Sequence, residues 1–202
     1  MLYNISMSWK NDQVTERETA KILELAEKCL VLEGDFVEMG CYRGDTSLLL
    51  AEMLVKKMGK SGGKDAKKLW IYDSFEGLPE KSLADESVLG VDFKGGELVV
   101  TKKEVKKRFL RAGLPVPVIK KAWFADLTPE DLPEQIAFAF LDGDFYESIK
   151  DSLNLVTPKM VAGGIMVVHD YNNPALPGVR KAVDEWNRVG GGDNTFEVVV
   201  DF

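Results

Sequence analysis

Two stretches of this chain, residues 136–144 (IAFAFLDGD) and 163–170 (GGIMVVHD), stay apolar until their last positions, where acids and the single histidine stand. A strand with one face in water alternates apolar and polar side chains; a run such as Ile165–Val168 does not, which suits a parallel sheet covered on both faces. Parallel neighbours need crossover connections, usually helices, and the segments between the runs supply them. Thr15 to Leu30 carries Ile22, Leu25, Ala26, Cys29 and Leu30 at helical spacing. Helices are also predicted over Thr46–Met58, Ser148–Val156 and Gly178–Arg188, and over 101–113, where Thr101 and Glu104 form a capping box and Gly113 supplies the stop. Further strands are read at Asp35–Met39, in KLWIYD ending at Asp73, in VPVIKKAWF and in TFEVVVDF. This alternation predicts an α/β, doubly wound, mostly parallel sheet of Rossmann-like type. A chain of 202 residues suffices for one core and is short for two, so residues 1–202 are read as a single domain.

Composition narrows the partners. Apolar residues make up 45% and charged residues 29%, an ordinary soluble balance, and no run approaches the roughly 18 apolar residues of a membrane span. The opening MLYNISMSWKNDQ lacks a charged-then-apolar leader, and Cys29 and Cys41 have no metal-ligand spacing, so a cytosolic protein is expected. A net charge of −7 argues against broad binding to a nucleic-acid backbone. Two basic clusters, Lys56–Lys68 and Lys102–Arg111, run against that sign. They read as solvated helix surface, or else as a patch that attracts an anionic substrate.

In doubly wound sheets, ligands bind beyond the carboxyl ends of the strands. There the sequence gathers Glu38, Asp73, Asp142 and Asp144, and His169 and Asp170. The first of these ends opens a glycine turn, GDFVEMGCYRGDTSLLL (34–50), in which Gly40 and Gly44 let the backbone approach a ligand closely. A dinucleotide site would show G-x-G-x-x-G with an acid about 20 residues on. Here the pattern is E-x-G-x-x-x-G and Asp73 lies further away, which disfavours a nicotinamide-dependent oxidoreductase. A ligand with a ribose, an amine and no pyrophosphate fits better: Asp73 accepts from ribose hydroxyls and Glu38 sits near the cationic amine. S-adenosylmethionine has both groups.

Three stretches, VEMGCYRGDTSLLL, YDSFEGLPE and FLDGDFYESIKDSL…GGIMVVHDY…LPGVRKAVDEW, taken together resemble the macrocin O-methyltransferase family. These are S-adenosylmethionine-dependent enzymes that methylate hydroxyls on sugars. The likeness runs from about Thr15 to Arg188. It implies that Glu38, Gly40, Tyr42 and Gly44 line the methionine part of the cofactor, that Asp73 with Ser74 beside it binds the ribose, and that the loop Ala122–Asp126, with Trp123, borders the adenine. It implies that Asp142 touches the cofactor and joins Asp170 in a divalent metal site, with Asp144 near the acceptor hydroxyl as a general base. Where the family usually shows two aspartates, this chain has His169-Asp170. Hard Mg²⁺ prefers oxygen ligands, so the metal is softer, the site is weaker, or His169 serves otherwise, for instance as the base. The family normally adds a final antiparallel strand, and nothing after TFEVVVDF supplies one, so the sheet edge is expected to be open, covered by a partner or paired differently. Homodimers are implied as well.

The expected chemistry is methyl transfer to a small hydroxylated acceptor held by the irregular insert at 78–100. The acceptor oxygen is aligned beside a divalent cation held by Asp142, His169 and Asp170. Tyr146 and Trp123 are candidates for stacking on sugar or adenine, and Arg43 for meeting a cofactor carboxylate. The His-for-Asp change and the short C-terminus motivate a competing reading, a catalytically silent cofactor-binding or interaction module.

Overall fold

The computed structural model describes residues 13–59, 67–87, 89, 93–191 and 195–200. Six strands form one sheet: β1 (Asp35–Met39), β2 (Leu69–Asp73), β3 (Val118–Lys121), β4 (Ile136–Leu141), β5 (Met160–Val168) and β6 (Glu197–Val199). Their spatial order is β3-β2-β1-β4-β5-β6 and every pairing is parallel, as the unbroken apolar runs predict. Within the described part of TFEVVVDF, Glu197–Val199 pairs alongside β5. Helices α1 (Glu16–Lys28), α2 (Asp45–Met58), α3 (Lys102–Ala112), α4 (Tyr146–Val156) and α5 (Pro177–Arg188) cover the faces.

The period of two along each strand sorts the core into two layers. Phe36, Ile71, Phe138, Phe140, Ile165 and Val167 pack with α1, α2 and α3. Val37, Met39, Tyr72, Leu141, Met166 and Val168 pack with α4 and α5. Each fully buried aliphatic or aromatic side chain of this kind stabilises the fold by about 1.5–3 kcal/mol relative to exposure, and both layers are continuous across the sheet.

The start of α1 and both ends of α3 follow the sequence signals; α1 ends at Lys28, ahead of the expected Leu30, and α2 and α5 start one residue early. Thr15 with Glu18, and Thr101 with Glu104, form complete capping boxes, and Gly113 closes α3 in the left-handed conformation. By contrast, α4 begins at Tyr146, two residues before the expected Ser148, with no side-chain cap from Phe145. Its first amide donates instead to Asp85 Oδ1 at 2.7 Å, from the insert. β5 likewise begins earlier than Gly163, at Met160. The KMGKSGGKDAKK loop lies largely outside the described residues.

The insert is less irregular than the sequence suggests. Its ends lie back to back: the Leu78 amide donates to Glu97 O and the Gly96 amide to Leu78 O, both at 2.8 Å. Between them a 3-10 turn, Leu83–Asp85, buries Asp85. Ser87 Oγ donates to Pro174 O at 3.0 Å, tying the insert to the β5–α5 loop. The described parts of the insert are thus tied down beside the carboxyl edge of the sheet.

Candidate active site

Strand order reverses between β1 and β4, the point at which doubly wound sheets open a crevice. The crevice is lined by Glu38, Tyr42, Asp73, Trp123, Asp142 and His169, among others. Period two explains the convergence. Glu38 and Asp73 fall on the strand positions that face α1 and α2, and Asp142 and His169 extend the same alternation one step past β4 and β5. The ladder continues that far, since Asp142 N donates to Met39 O at 2.8 Å and His169 N to Leu141 O at 3.0 Å.

The glycine turn is built for close approach. Gly40 has φ +89°, and a Cβ there would lie 2.0 Å from the Asp142 carbonyl oxygen, so β1 and β4 meet at this point only without a side chain. Asp73 grips the turn: its Oδ2 accepts from the amides of Cys41 (2.9 Å) and Tyr42 (3.1 Å), and its Oδ1 from Phe75 N (2.7 Å). The sequence reading proposes Asp73 as a ribose acceptor; its clamping of the turn was not legible, because the Cys41 and Tyr42 amides belong to a distant segment. Ser74 is buried and engaged locally, donating to Gly77 O at 2.9 Å and accepting from Glu76 N at 3.1 Å.

Glu38 is buried, and Ser47 Oγ of α2 donates to its Oε2. Burial raises its pKa to about 8; the Ser47 hydrogen bond pulls the other way, while the negative charges of Asp142, Asp73 and Asp45 add to the rise. Near neutral pH its carboxyl therefore holds a proton that an approaching cation can expel.

His169 Nδ1 stands 3.0 Å from Asp142 Oδ1 and 2.8 Å from Asp170 Oδ2, while Nε2 faces Glu18 Oε1 of α1 at 3.7 Å. Burial disfavours a charged ring, but Asp142 and Asp170 outweigh it and raise the pKa to about 11. One donor atom each from Asp142, His169 and Asp170 lie within 4.8 Å of one another. This mixed nitrogen–oxygen set fits a divalent cation that accepts imidazole as well as carboxylate. Asp144 borders the same crevice; burial, then Asp142 and Asp170, push its carboxyl well above the usual carboxylate range.

Backbone strain concentrates here. Among the described residues, Tyr42, Phe75, Leu98, Asp144 and Asp170 are the non-glycines with positive φ, and all but Phe75 line the crevice. Such conformations cost on the order of 1–3 kcal/mol each and persist where surrounding structure enforces them.

Two aromatics part company. Trp123 lines the crevice, whereas Tyr146 turns to α5 and donates to Glu185 Oε2 at 2.5 Å. That bond, foremost, pushes the Tyr146 hydroxyl up to about 12. Arg43 leans on Asp45, Nε to Oδ2 3.7 Å. Residues that sequence reasoning passed over also reach the crevice, notably Val14, Asp45 and Leu176. Asp45 carried a signal, since it directly follows Gly44 at the start of α2, and Leu176 opens the LPGVRKAVDEW stretch of the family likeness; Val14 carried none.

A family model for macrocin-O-methyltransferase (TylF) matches residues 17–199. The 8-demethyl-8-(2,3-dimethoxy-alpha-L-rhamnosyl)-tetracenomycin-C 4'-O-methyltransferase of Streptomyces olivaceus is 32% identical over 171 residues, 82% of this chain and 62% of that protein. The demethyldecarbamoylnovobiocin O-methyltransferase of Streptomyces niveus is 30% identical over 158 residues, 76% of this chain and 58% of that protein. The chain thus spans about three-fifths of the length of these curated relatives. Among solved structures, the O-methyltransferase NovP aligns with a TM-score of 0.72 at 27% identity, covering 85% of this chain and 71% of that one. The calicheamicin methyltransferase CalS11 aligns at 0.67 and 18% identity, covering 85% and 72%, a likeness of fold alone. The chain belongs to the macrocin-O-methyltransferase family.

Proposed function

We propose that this protein is an S-adenosylmethionine-dependent O-methyltransferase acting on a hydroxyl of a small molecule, a sugar or a natural-product glycoside, with help from a divalent cation. The observation that carries the reading is the gathering of Glu38, Asp73, Asp142 and His169 on one side of the switch point, around a turn that admits no Cβ at Gly40. The named relatives, methyltransferases for rhamnosyl-tetracenomycin and demethyldecarbamoylnovobiocin, support the acceptor class.

S-adenosylmethionine, when bound, supplies a sulfonium methyl for in-line displacement by the acceptor oxygen. Glu38 gives the amine end a carboxyl that ionises beside positive charge, and Asp73 keeps the turn in place while offering remaining lone pairs to ribose hydroxyls. Trp123 offers a flat apolar surface to the adenine. Asp142, His169 and Asp170 would hold the divalent cation, whose chemistry is to lower the pKa of a hydroxyl and fix its position. Asp144, on the same crevice, takes the hydroxyl proton once its carboxyl is ionised, which positive charge nearby favours. The insert, with Leu78, Pro79, Phe93 and Leu98 facing the crevice, supplies an apolar wall for the acceptor.

One observation favours a second reading. His169 Nδ1 already stands within hydrogen-bond distance of both Asp142 and Asp170, at 3.0 and 2.8 Å, as in a module that binds the cofactor without metal-dependent turnover. Incubation with methyl-labelled S-adenosylmethionine and demethyldecarbamoylnovobiocin or rhamnosylated polyketides, with and without EDTA, separates the two. The proposal expects label in the acceptor, lost with EDTA and restored by Mg²⁺ or Mn²⁺, and lost in Asp142→Asn while S-adenosylhomocysteine still binds. Failure of either cofactor form to bind at millimolar concentration would remove both readings.

A further inference from the structure

The basic cluster on α3 divides in two. Lys103, Lys106, Lys107 and Arg111 are exposed, the solvated surface expected of such a run. Arg108 turns inward, its side chain only 21% exposed. Its Nη1 donates to the Arg43 carbonyl at 2.6 Å and its Nη2 to Asp45 Oδ1 at 2.5 Å. These contacts reach residues 43 and 45 of the glycine turn, beside residues 41 and 42 whose amides Asp73 holds. Val105, one turn earlier on α3, lies against the same glycine turn: a Cβ on Gly44, φ +76°, would lie 3.1 Å from its Cγ1. The turn, with Gly40, Tyr42 and Gly44 all at positive φ, is therefore gripped from β2 at the Cys41 and Tyr42 amides and from α3 at the Arg43 carbonyl.

Asp45 gives that grip a charge consequence. It is 6% exposed, opens α2 and lines the crevice. An unpaired carboxylate there would repel an anionic ligand group arriving over the turn. Arg43 Nε also lies 3.7 Å from Asp45 Oδ2, on a side chain 40% exposed; the more buried Arg108 neutralises the carboxylate at closer range, and its planar fork spans both acceptors in a fixed geometry that a flexible ammonium holds less well. Resting on the proposed function, in which the turn faces the amino-acid end of the cofactor, we propose that Arg108 is a positioning residue for that end: through Asp45 and the Arg43 carbonyl it fixes the turn and cancels the charge that would oppose the cofactor's carboxylate.

Two probes isolate this role. S-adenosylhomocysteine carries the amino-acid end; 5′-methylthioadenosine shares the adenosine and the thioether and lacks that end. Calorimetric titration of Arg108→Ala is expected to show S-adenosylhomocysteine weakened by about tenfold or more, the scale of a lost charge-assisted hydrogen bond, with 5′-methylthioadenosine binding as in the parent protein. Arg108→Lys is expected between the two, and millimolar guanidinium is expected to restore S-adenosylhomocysteine affinity to Arg108→Ala without altering the parent. Equal weakening of both probes, or no weakening of S-adenosylhomocysteine, overturns the inference. If Arg108→Ala does not fold, Arg108→Lys and Arg108→Gln are titrated with the same two probes, and the same two results overturn it. Failure of the unmutated protein to bind either probe overturns the proposed function itself, a result distinct from a failure confined to the variants.

Discussion

Glu38 is the residue whose chemistry departs furthest from its place in the sequence. An acid closing an apolar strand reads as a ligand contact, and its position on the crevice agrees with that. What the sequence did not disclose is that Ser47, nine residues on, donates to it, or that burial raises its pKa to about 8. Such a shift has a definite sign. Because the folded-state pKa lies above the unfolded value of 4.5, the folded state holds a proton that the unfolded chain has lost, so stability falls as pH rises from about 4.5 to about 8 and this contribution is flat beyond. Glu38→Gln keeps a neutral group beside Ser47 and is expected to lose less melting temperature than the parent between pH 5 and pH 8. Thermal melts across that range check it; parallel curves for the two proteins would contradict it. Asp73 was legible as a crevice residue for the same reason as Glu38, its place at a strand end. Its Phe75 partner is the local i+2 contact common for Asp; the Cys41 and Tyr42 amides were not legible, since they depend on how the turn folds back over β2.

At the level of elements, the periodic patterns located strands and helices well because the apolar faces are continuous, and they misplaced ends where a partner from elsewhere in the chain sets the boundary. Helix α4 is the clearest case. Its own residues supply no cap, and Asp85, 61 positions away, accepts from Tyr146 N at 2.7 Å while also accepting from Ser82 N (3.0 Å) and Ser82 Oγ (2.7 Å). No local signal in the sequence foretells a cap from another segment. The same carboxylate occupies the space above Gly178 of α5, where a Cβ would lie 1.8 Å from Asp85 Oδ1. Asp85→Ala leaves the Tyr146 amide without that acceptor and is expected to cost about 1–3 kcal/mol, read as a lower urea midpoint with an unchanged slope. Gly178→Ala is expected to act in the same direction by displacing Asp85. A wild-type midpoint in both variants would show that the insert is not anchored through this residue.

Over the whole molecule, the functional geometry is a product of topology. The strand order brings β1 and β4 side by side although two strands separate them in sequence, and only that adjacency places Glu38 and Asp73 near Asp142 and His169. The sequence supported the convergence at one sheet edge, because every strand of a parallel sheet ends on the same side. It grouped Asp142, His169 and Asp170, but it could not specify that His169 Nδ1 would lie within hydrogen-bond distance of both carboxylates, or that the described parts of the insert would be tied down, because those contacts depend on how the loops pack. No helix among the described residues is long and apolar enough to cross a membrane. The central claim is that the strand-end acids and the glycine turn form one S-adenosylmethionine pocket at the switch point. The most direct measurement is a crystal structure of the protein with S-adenosylhomocysteine. The account predicts its amino-acid end over residues 40–45, its ribose against Asp73 and its adenine beside Trp123; a molecule bound away from the β1–β4 crevice would contradict it.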